Sequence, residues 1–138
     1  LEVYRTRFEP SEYLDKPYVM LGVNVSAADT DEEAAFHFTS LQQAFVNLRS
    51  GRPGKLPAPR RGFAEDLDPA AKMMLDHALS CAVVGSRQTV RDGLRAFVAR
   101  TDADELMVTA QIFDHAARVR SYEILSEVAA SEPAVAAG

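Results

Sequence analysis

The sequence has 138 residues, of which 47% are hydrophobic and 25% are charged, and its net charge at pH 7 is −5. A chain of this size fits one domain with a substantial core, and its charge gives no electrostatic reason to expect a nucleic acid or an anionic membrane as partner. No apolar run is long enough to span a bilayer, and the opening LEVYRTRFEP lacks the apolar core of a signal peptide, so we expect a cytoplasmic location.

The first 27 residues predict a short helix and then a strand. Residues 1–8 are typical of the last turns of a helix that stops before Pro10. The chain begins with Leu instead of Met, so we expect a fragment of a longer protein. The run YVMLGVNVSA, residues 18–27, is nearly all apolar and rich in Val, as in a strand that is covered on both faces.

Residues 29–50 predict the first long helix. The segment DTDEE supplies an N-cap residue and then acidic side chains for the first helical turn. The helix is expected to stop at Ser50 and Gly51, because glycine is common just after a helix. Its apolar face is formed by residues at alternating spacings of four and three, namely Ala34, Phe38, Leu41, Phe45 and Leu48.

Residues 51–67, GRPGKLPAPRRGFAEDL, differ in kind from the rest of the chain. They contain three prolines, three glycines and four basic residues, which exclude a helix or a central strand. A loop of this length predicts a mobile lid or binding loop. Its basic side chains either steer an anionic phosphate or are ordinary solvated loop charges.

The second half of the chain alternates helices and strands. The predicted elements are a helix from Asp68-Pro69 to about Leu79, a strand at 81–84, a helix capped by Ser86, a strand at 105–112 and a helix capped by Asp114. The single cysteine, Cys81, excludes an internal disulfide, suits a reducing cytoplasm, and is expected in the core rather than as a nucleophile. Residues 131–138 are expected to form a frayed tail.

This order of elements predicts an α/β protein with a parallel sheet. If the crossovers are right-handed, the helices of three consecutive units should stack on one side of the sheet. That arrangement leaves open strand edges and one bare apolar face. The sequence therefore predicts part of a larger barrel.

Candidate pocket residues follow the last predicted strand, because ligands of parallel α/β folds bind at the carboxyl ends of strands. Gln111 either lines the pocket or is a hydrogen-bonded residue inside the fold. Asp114 and His115 come next, and an imidazole at this place could donate to a ligand or act as an acid or base. The alternative is an N-cap aspartate followed by a surface histidine.

Two further pairs are candidates. Asn24 and Ser26 interrupt the first strand at a spacing of two, so they share a face that lines the pocket or touches water. Gly85 and Ser86 open a helix whose backbone N–H groups could hold a phosphate, and the alternative is a plain N-cap serine. We find no metal-ligand spacing among His, Cys and acidic residues, and we expect no metal site.

Four segments together resemble the C-terminal part of the luciferase-like flavin-dependent monooxygenases, closest to the bacterial alkanal-monooxygenase-like branch. They are DKPYVMLGVNVSAADTDEEA, LQQAFVNLRSGRPGKLP, CAVVGSRQTVRDGL and TDADELMVTAQIFDHAARVRSYEIL. The resemblance implies that residues 1–130 form about three βα units of a TIM (β/α)8 barrel. The predicted strands are then its sixth, seventh and eighth, and residues 51–67 are a mobile loop over the active-site mouth.

The resemblance also implies an activity. Reduced flavin, FMN held as cofactor or used as co-substrate, reacts with O2 to oxidise an aldehyde or similar small organic molecule. The barrel strands that supply most flavin contacts in the family are absent from this sequence. We therefore expect this chain alone to lack turnover, and the sequence assigns no catalytic residue.

Two alternatives remain open. One is a non-catalytic truncated barrel that pairs its exposed edges in a homo-oligomer, with a dimer as the expected state. The other is a deazaflavin-dependent oxidoreductase on the same barrel, which this part of the sequence does not distinguish from a flavin enzyme.

Overall fold

A computed structural model of the protein describes residues 1–131; of the predicted frayed tail, residues 132–138 lie outside the described residues. The predicted alternation of helices and strands is confirmed. In chain order the elements are α1 (Glu2–Thr6), β1 (Met20–Ala27), α2 (Asp31–Arg49), α3 (Pro69–Ala78), β2 (Val83–Gly85), α4 (Arg87–Thr101), β3 (Glu105–Thr109) and α5 (His115–Ser131).

Local hydrogen bonds explain where the elements begin and end. Thr30 caps α2 by accepting from the N–H of Glu33, and Asp68 caps α3 by accepting from two N–H groups, with Pro69 in the first turn. β3 ends earlier than predicted because the N–H of Ala110 donates to the hydroxyl of Tyr122 instead of a neighbouring strand.

The predicted core position of Cys81 is wrong. The backbone turns after α3, where the N–H of Ala82 donates to the carbonyl of Leu79. This turn delays β2 until Val83 and leaves the Cys81 side chain exposed.

The three strands form a parallel sheet in the order β2-β1-β3, with Val25 opposite Val83 and Gly22 opposite Met107. The predicted α/β class with a parallel sheet is confirmed. The order differs from that of consecutive barrel strands, which lie next to one another in sequence order. Here the chain passes from β1 to β2 on one side and then crosses β1 to reach β3 on the other side. Because both connections are right-handed but run in opposite directions, their helices lie on opposite faces of the sheet.

The helices accordingly cover both faces of the sheet, which corrects the expectation of a single helical layer. On one face, Val23 and Val25 of β1 pack in the main core with Val90 of α4 and with Ile124 and Val128 of α5.

On the other face, α2 covers only the carboxyl end of the sheet. There the hydroxyl of Ser26 donates to the carbonyl of Ala34 in α2 at 3.0 Å. The amino-terminal half of this face is open: Met20 and Met107 are about half exposed, and nothing lies within 4 Å of a Cβ built on Gly22. We call the surface of Met20, Gly22 and Met107 the bare face.

Replacing Ile124 with Ala should lower the free energy of unfolding by about 2–5 kcal/mol, because the side chain is 1% exposed and its loss leaves a cavity against β1. Val119→Ala on the same helix is the matched control. Val119 is 44% exposed, so that change should cost less than about 0.5 kcal/mol. Urea unfolding measures both, and equal losses would contradict the packing of α5 described above.

Candidate functional site

The carboxyl ends of the three strands lie at the same edge of the sheet because the strands are parallel. β1 leads into Asp29 and Thr30, β2 into Ser86, and β3 into the segment from Ala110 to Asp114. The predicted candidate residues therefore lie on or near one rim. Their environments differ.

Asn24 and Ser26 share a face of β1, as their spacing predicts, and only Asn24 borders open space. Asn24 is the register partner of Thr109 and accepts a 2.9 Å hydrogen bond from its hydroxyl, at the carboxyl end of the bare face. Ser26 is 2% exposed and bonded to Ala34, so α2 seals it from any ligand on that face.

Gln111 is exposed at the rim, whereas Asp114 and His115 make local contacts. The Asp114 carboxylate accepts from the N–H of Ala117 at 2.8 Å, which is N-cap geometry for α5. Arg118 donates to His115 Nδ1 at 2.9 Å, so that nitrogen acts as an acceptor and the ring is held near the first turn. Both side chains remain at the surface.

The N-terminus of α4 holds a carboxylate from the same chain. The N–H of Ser86 donates to Asp31 Oδ1 at 2.6 Å, and the positive φ of Gly85, 154°, brings the turn close to this group. A Cβ on Gly85 would lie 2.5 Å from Thr89 Cγ2 and 2.7 Å from Asp31 Oδ1. A phosphate could reach the predicted Gly85-Ser86 position only by displacing Asp31.

The pKa of Asp31 lies below its ordinary value because of this arrangement. The backbone hydrogen bond from Ser86 is the largest cause, followed by the side-chain hydrogen bond of Thr89, and both favour the charged carboxylate. Asp31 thus connects the start of α2 to the β2–α4 turn.

A cleft of about 350 Å³ lies between the β1–α2 connection and α5. Arg120 donates to Asp29 Oδ1 through two guanidinium nitrogens, at 3.0 and 2.7 Å, and this bonding raises the pKa of Arg120. Glu33, His37 and Asp114 also line the cleft. The cleft is therefore rich in carboxylates, with one arginine already engaged.

Polar neighbours of His37 along the predicted helix indicate a surface residue, and the structure shows that this prediction is wrong. Its side chain is 12% exposed, its Nε2 lies 3.7 Å from Glu33 Oε1, and its Nδ1 is buried without a hydrogen bond among residues 1–131. The sequence carried one signal, the spacing of four between Glu33 and His37 on a predicted helix. Asp29 and Arg120 were not proposed as pocket residues, because only the folded chain brings them together.

The loop at 51–67 forms no helix or strand. The second half of the loop packs on α2. The N–H of Arg60 donates to Thr39 at 2.8 Å, and Gln43 donates to the carbonyl of Ala58 at 2.9 Å. Arg61 pairs with Glu32 at 3.1 Å and lies over the ring of Phe36. The Arg60 guanidinium pairs with Asp66, so two of the four basic residues of the loop have acidic partners within the chain. The mobility of the loop remains a prediction.

Neither a metal cluster nor a membrane-crossing helix is found in the part of the chain that the structure describes. Residues 1–131 contain no group of three His, Cys, Asp or Glu side chains placed to hold a metal ion. No helix within the same residues has the length and apolar character that crossing a membrane requires.

Replacing Asp31 with Ala should lower the melting temperature at pH 7, because the Ser86 N–H loses its acceptor. A carboxyl group whose pKa is lower in the folded chain stabilises the fold at pH values above its pKa in the unfolded chain, which is about 3.9. This stabilisation is lost as the pH falls through the pKa of the folded chain. The deficit in melting temperature of Asp31→Ala, relative to the original chain, should therefore shrink toward acidic pH.

Thermal unfolding from pH 7 down to about pH 3 measures this deficit. Asp76→Ala, an exposed acidic residue of α3, is the matched charge control and should show little change. A deficit of Asp31→Ala that stays constant with pH would contradict the proposed role of its charge.

No family model matches the sequence. The chain is 46% identical over 128 residues to a protein of Escherichia coli strain K12 named luciferase-like monooxygenase, a match that covers 93% of this chain and 38% of that protein. It is 43% identical over 128 residues to the uncharacterized protein YvbT of Bacillus subtilis strain 168, with the same coverage.

Among solved structures, the chain is similar to apo-MsnO8, with a TM-score of 0.72 and 28% sequence identity. This match covers 96% of the present chain and 40% of MsnO8. The chain therefore spans about two fifths of the length of the proteins that it matches. The resemblance predicted from the sequence is confirmed: over nearly its whole length, this chain is related to part of the luciferase-like monooxygenases.

Proposed function

We propose that the chain forms about three βα units at the C-terminal end of the TIM barrel of a bacterial, cytoplasmic, luciferase-like flavin-dependent monooxygenase. The observation that supports this best is the 46% identity over 128 residues to a protein of that name. In the whole protein, reduced flavin and O2 would oxidise an aldehyde or a similar small organic molecule. Catalytic residues are not assigned in this chain.

The bare face is the part of the chain that we propose for the barrel interior. Met20, Gly22 and Met107 offer an open, mostly apolar wall. The hydrogen-bonded pair of Asn24 and Thr109 adds polar groups at its carboxyl end. A wall of this kind suits a flat aromatic ring or an apolar substrate and excludes water from it, with a few polar atoms that orient the ligand.

The phosphate of a flavin does not fit the chain as it is folded here. The α4 N-terminus already holds the Asp31 carboxylate, and the cleft beside it contributes Asp29, Glu33 and Asp114. These carboxylates would repel a phosphate. When bound, a flavin supplies the reaction with O2, and we assign no step of that chemistry to residues of this chain.

The strand order of this chain differs from that of consecutive strands in a barrel. In a barrel with strands in sequence order, β3 follows β2, and the other side of β1 belongs to the preceding strand. In the present chain β3 takes that position beside β1.

A chimera tests the proposed function. The 128-residue region of the E. coli relative is replaced by this chain, and the product is supplied with reduced FMN, O2 and a set of aldehydes. We expect oxygen-dependent aldehyde oxidation by the chimera and none by the isolated chain. The measured quantities are O2 consumption and carboxylic acid formed.

Within the chimera, Asn24→Leu should lower kcat/KM at least tenfold, because it replaces the polar group of the proposed inner wall. Gln88→Leu, on the exposed surface of α4, is the control and should leave kcat/KM unchanged. Inactivity of the E. coli relative itself under these conditions would refute the proposal. Turnover with a reduced deazaflavin that does not require O2 would support the deazaflavin alternative instead.

Self-association is a second candidate role, favoured by the open edges of the sheet. In the described part of the chain, no strand pairs with the outer side of β2 or β3. Met20 and Met107 expose apolar surface nearby. A dimer that covers these groups removes unpaired strand edges from water.

Sedimentation velocity distinguishes the monomer from the dimer. We expect a concentration-dependent dimer, and Met107→Lys on β3 should shift it to monomer because a charge on the bare face opposes burial. Met73→Lys, an exposed methionine on α3, is the control and should leave the dimer intact. A monomer at all concentrations would contradict this role.

A further inference from the structure

Gly22 is a glycine in the middle of a regular strand. Glycine weakens a strand, and its presence there commonly marks a bulge, a close neighbouring group or the approach of a ligand. No bulge is present, because the pairing of β1 with β3 is continuous from Met20–Glu105 to Asn24–Thr109. Gly22 does not have a positive φ, and within residues 1–131 nothing except its chain neighbours lies within 4 Å of a Cβ built on it. The described chain therefore gives no internal reason for a glycine at this position, which leaves the approach of a group from outside it.

Two thioether side chains border the space above Gly22. Met20 lies two residues before Gly22 on the same face of β1, and Met107 is the register partner of Gly22 on β3. Both methionines are about half exposed, and neither comes within 4 Å of a Cβ built on the glycine. Methionine sulfur makes favourable contacts with aromatic rings. The space is therefore a slot with a flat floor of peptide groups, and it suits a planar ring.

The polar groups at the two ends of the bare face differ. At the carboxyl end, the amide oxygen of Asn24 accepts from the hydroxyl of Thr109, which leaves the amide N–H groups for an acceptor on a ligand. At the amino end, the Glu105 carboxylate accepts from the hydroxyl of Tyr18 at 2.9 Å. A carbonyl oxygen is therefore attracted to Asn24 and repelled by Glu105. Because Gly22 and Asn24 are about 6.6 Å apart along the strand, a ring above the glycine brings an attached carbonyl group within reach of the amide.

We propose that Gly22 determines the substrate class: the slot binds a planar aromatic aldehyde, with its ring on Gly22 between Met20 and Met107 and its carbonyl oxygen accepting from Asn24. A side chain at position 22 would fill the space that the ring needs. A flexible aliphatic aldehyde, in contrast, lies along the two methionines without entering the slot. This inference rests on the proposed function, in which the bare face lines the barrel interior.

The first test is a titration of the isolated chain with p-anisaldehyde, followed by amide ¹H–¹⁵N NMR. We expect saturable shifts in β1 and β3, centred on Gly22 and Met107. Gly22→Val should weaken the binding about tenfold, because its methyl groups occupy the slot. The variant should fold, since Gly22 has no close neighbour and valine favours strands. Gly54→Val, at an exposed loop glycine that also has no close neighbour, is the control and should bind as the original chain does.

Two further probes separate the ring from the carbonyl group. The compound 4-methylanisole carries a methyl group in place of the aldehyde, so Asn24→Leu should weaken the binding of p-anisaldehyde about fivefold and leave that of 4-methylanisole unchanged. Octanal has as many carbon atoms as p-anisaldehyde and no ring, so Gly22→Val should not weaken its binding. Equal affinity of Gly22→Val and the original chain for p-anisaldehyde would overturn the proposal, and so would the absence of shifts in β1.

The chimera separates this inference from the proposed function. In the chimera, Gly22→Val should lower kcat/KM for p-anisaldehyde about tenfold more than kcat/KM for octanal. Equal losses for both aldehydes, in a chimera that oxidises octanal, would overturn the inference and leave the proposed function standing. If the E. coli relative oxidises no aldehyde, the proposed function fails, and the titration of the isolated chain still decides what Gly22 admits. Bare-face signals that change with protein concentration and not with p-anisaldehyde would assign the face to a second copy of the chain and overturn the inference.

Discussion

The position of β1 between two parallel neighbours is the constraint on which the rest of the fold depends. Its parallel pairings with β2 and β3 align three strand ends at one rim. Its alternating side chains point to both faces of the sheet. Val23 and Val25 enter the core with α4 and α5, while Ser26 is sealed by α2. Because β1 is central, the crossovers run in opposite directions, and this explains the two helical layers. It also leaves β3 as an edge strand with Met107 half exposed.

At the rim, the chain satisfies its own polar groups before any ligand arrives. Asp31 occupies the N–H of Ser86, Asp29 engages Arg120, and Asp114 caps α5. Each contact stabilises a junction between a strand and a helix, and each removes a donor that an anion would need. The same residues that fix the rim therefore prevent it from acting as a complete anion site. A partner segment that completed the site would have to replace these contacts.

Local sequence signals predicted the elements well, because caps and periodicity act within a few residues. Asp68 and Asp114 cap helices as their positions indicate, and the Val-rich run forms β1. The strand order was not predictable in this way, since it depends on which neighbours are available to β1. The burial of His37 was missed for the same reason: polar neighbours along the helix describe only the surface of that helix, whereas the folded chain places the imidazole at the cleft between α5 and the β1–α2 connection.

The apolar side chains on the two faces of β3 have one physical origin. In a complete barrel, a strand beside β2 would be covered by helices on its outer face and would face other strands across the interior on its inner face. In its place beside β1, β3 turns Met107 to the bare face and turns Leu106 and Val108 to the opposite face, where they are partly buried against the core. The alternation of side chains along a strand makes this unavoidable. The half-exposed Met107 and the partly buried Leu106 and Val108 thus lie on the two sides of the same edge strand.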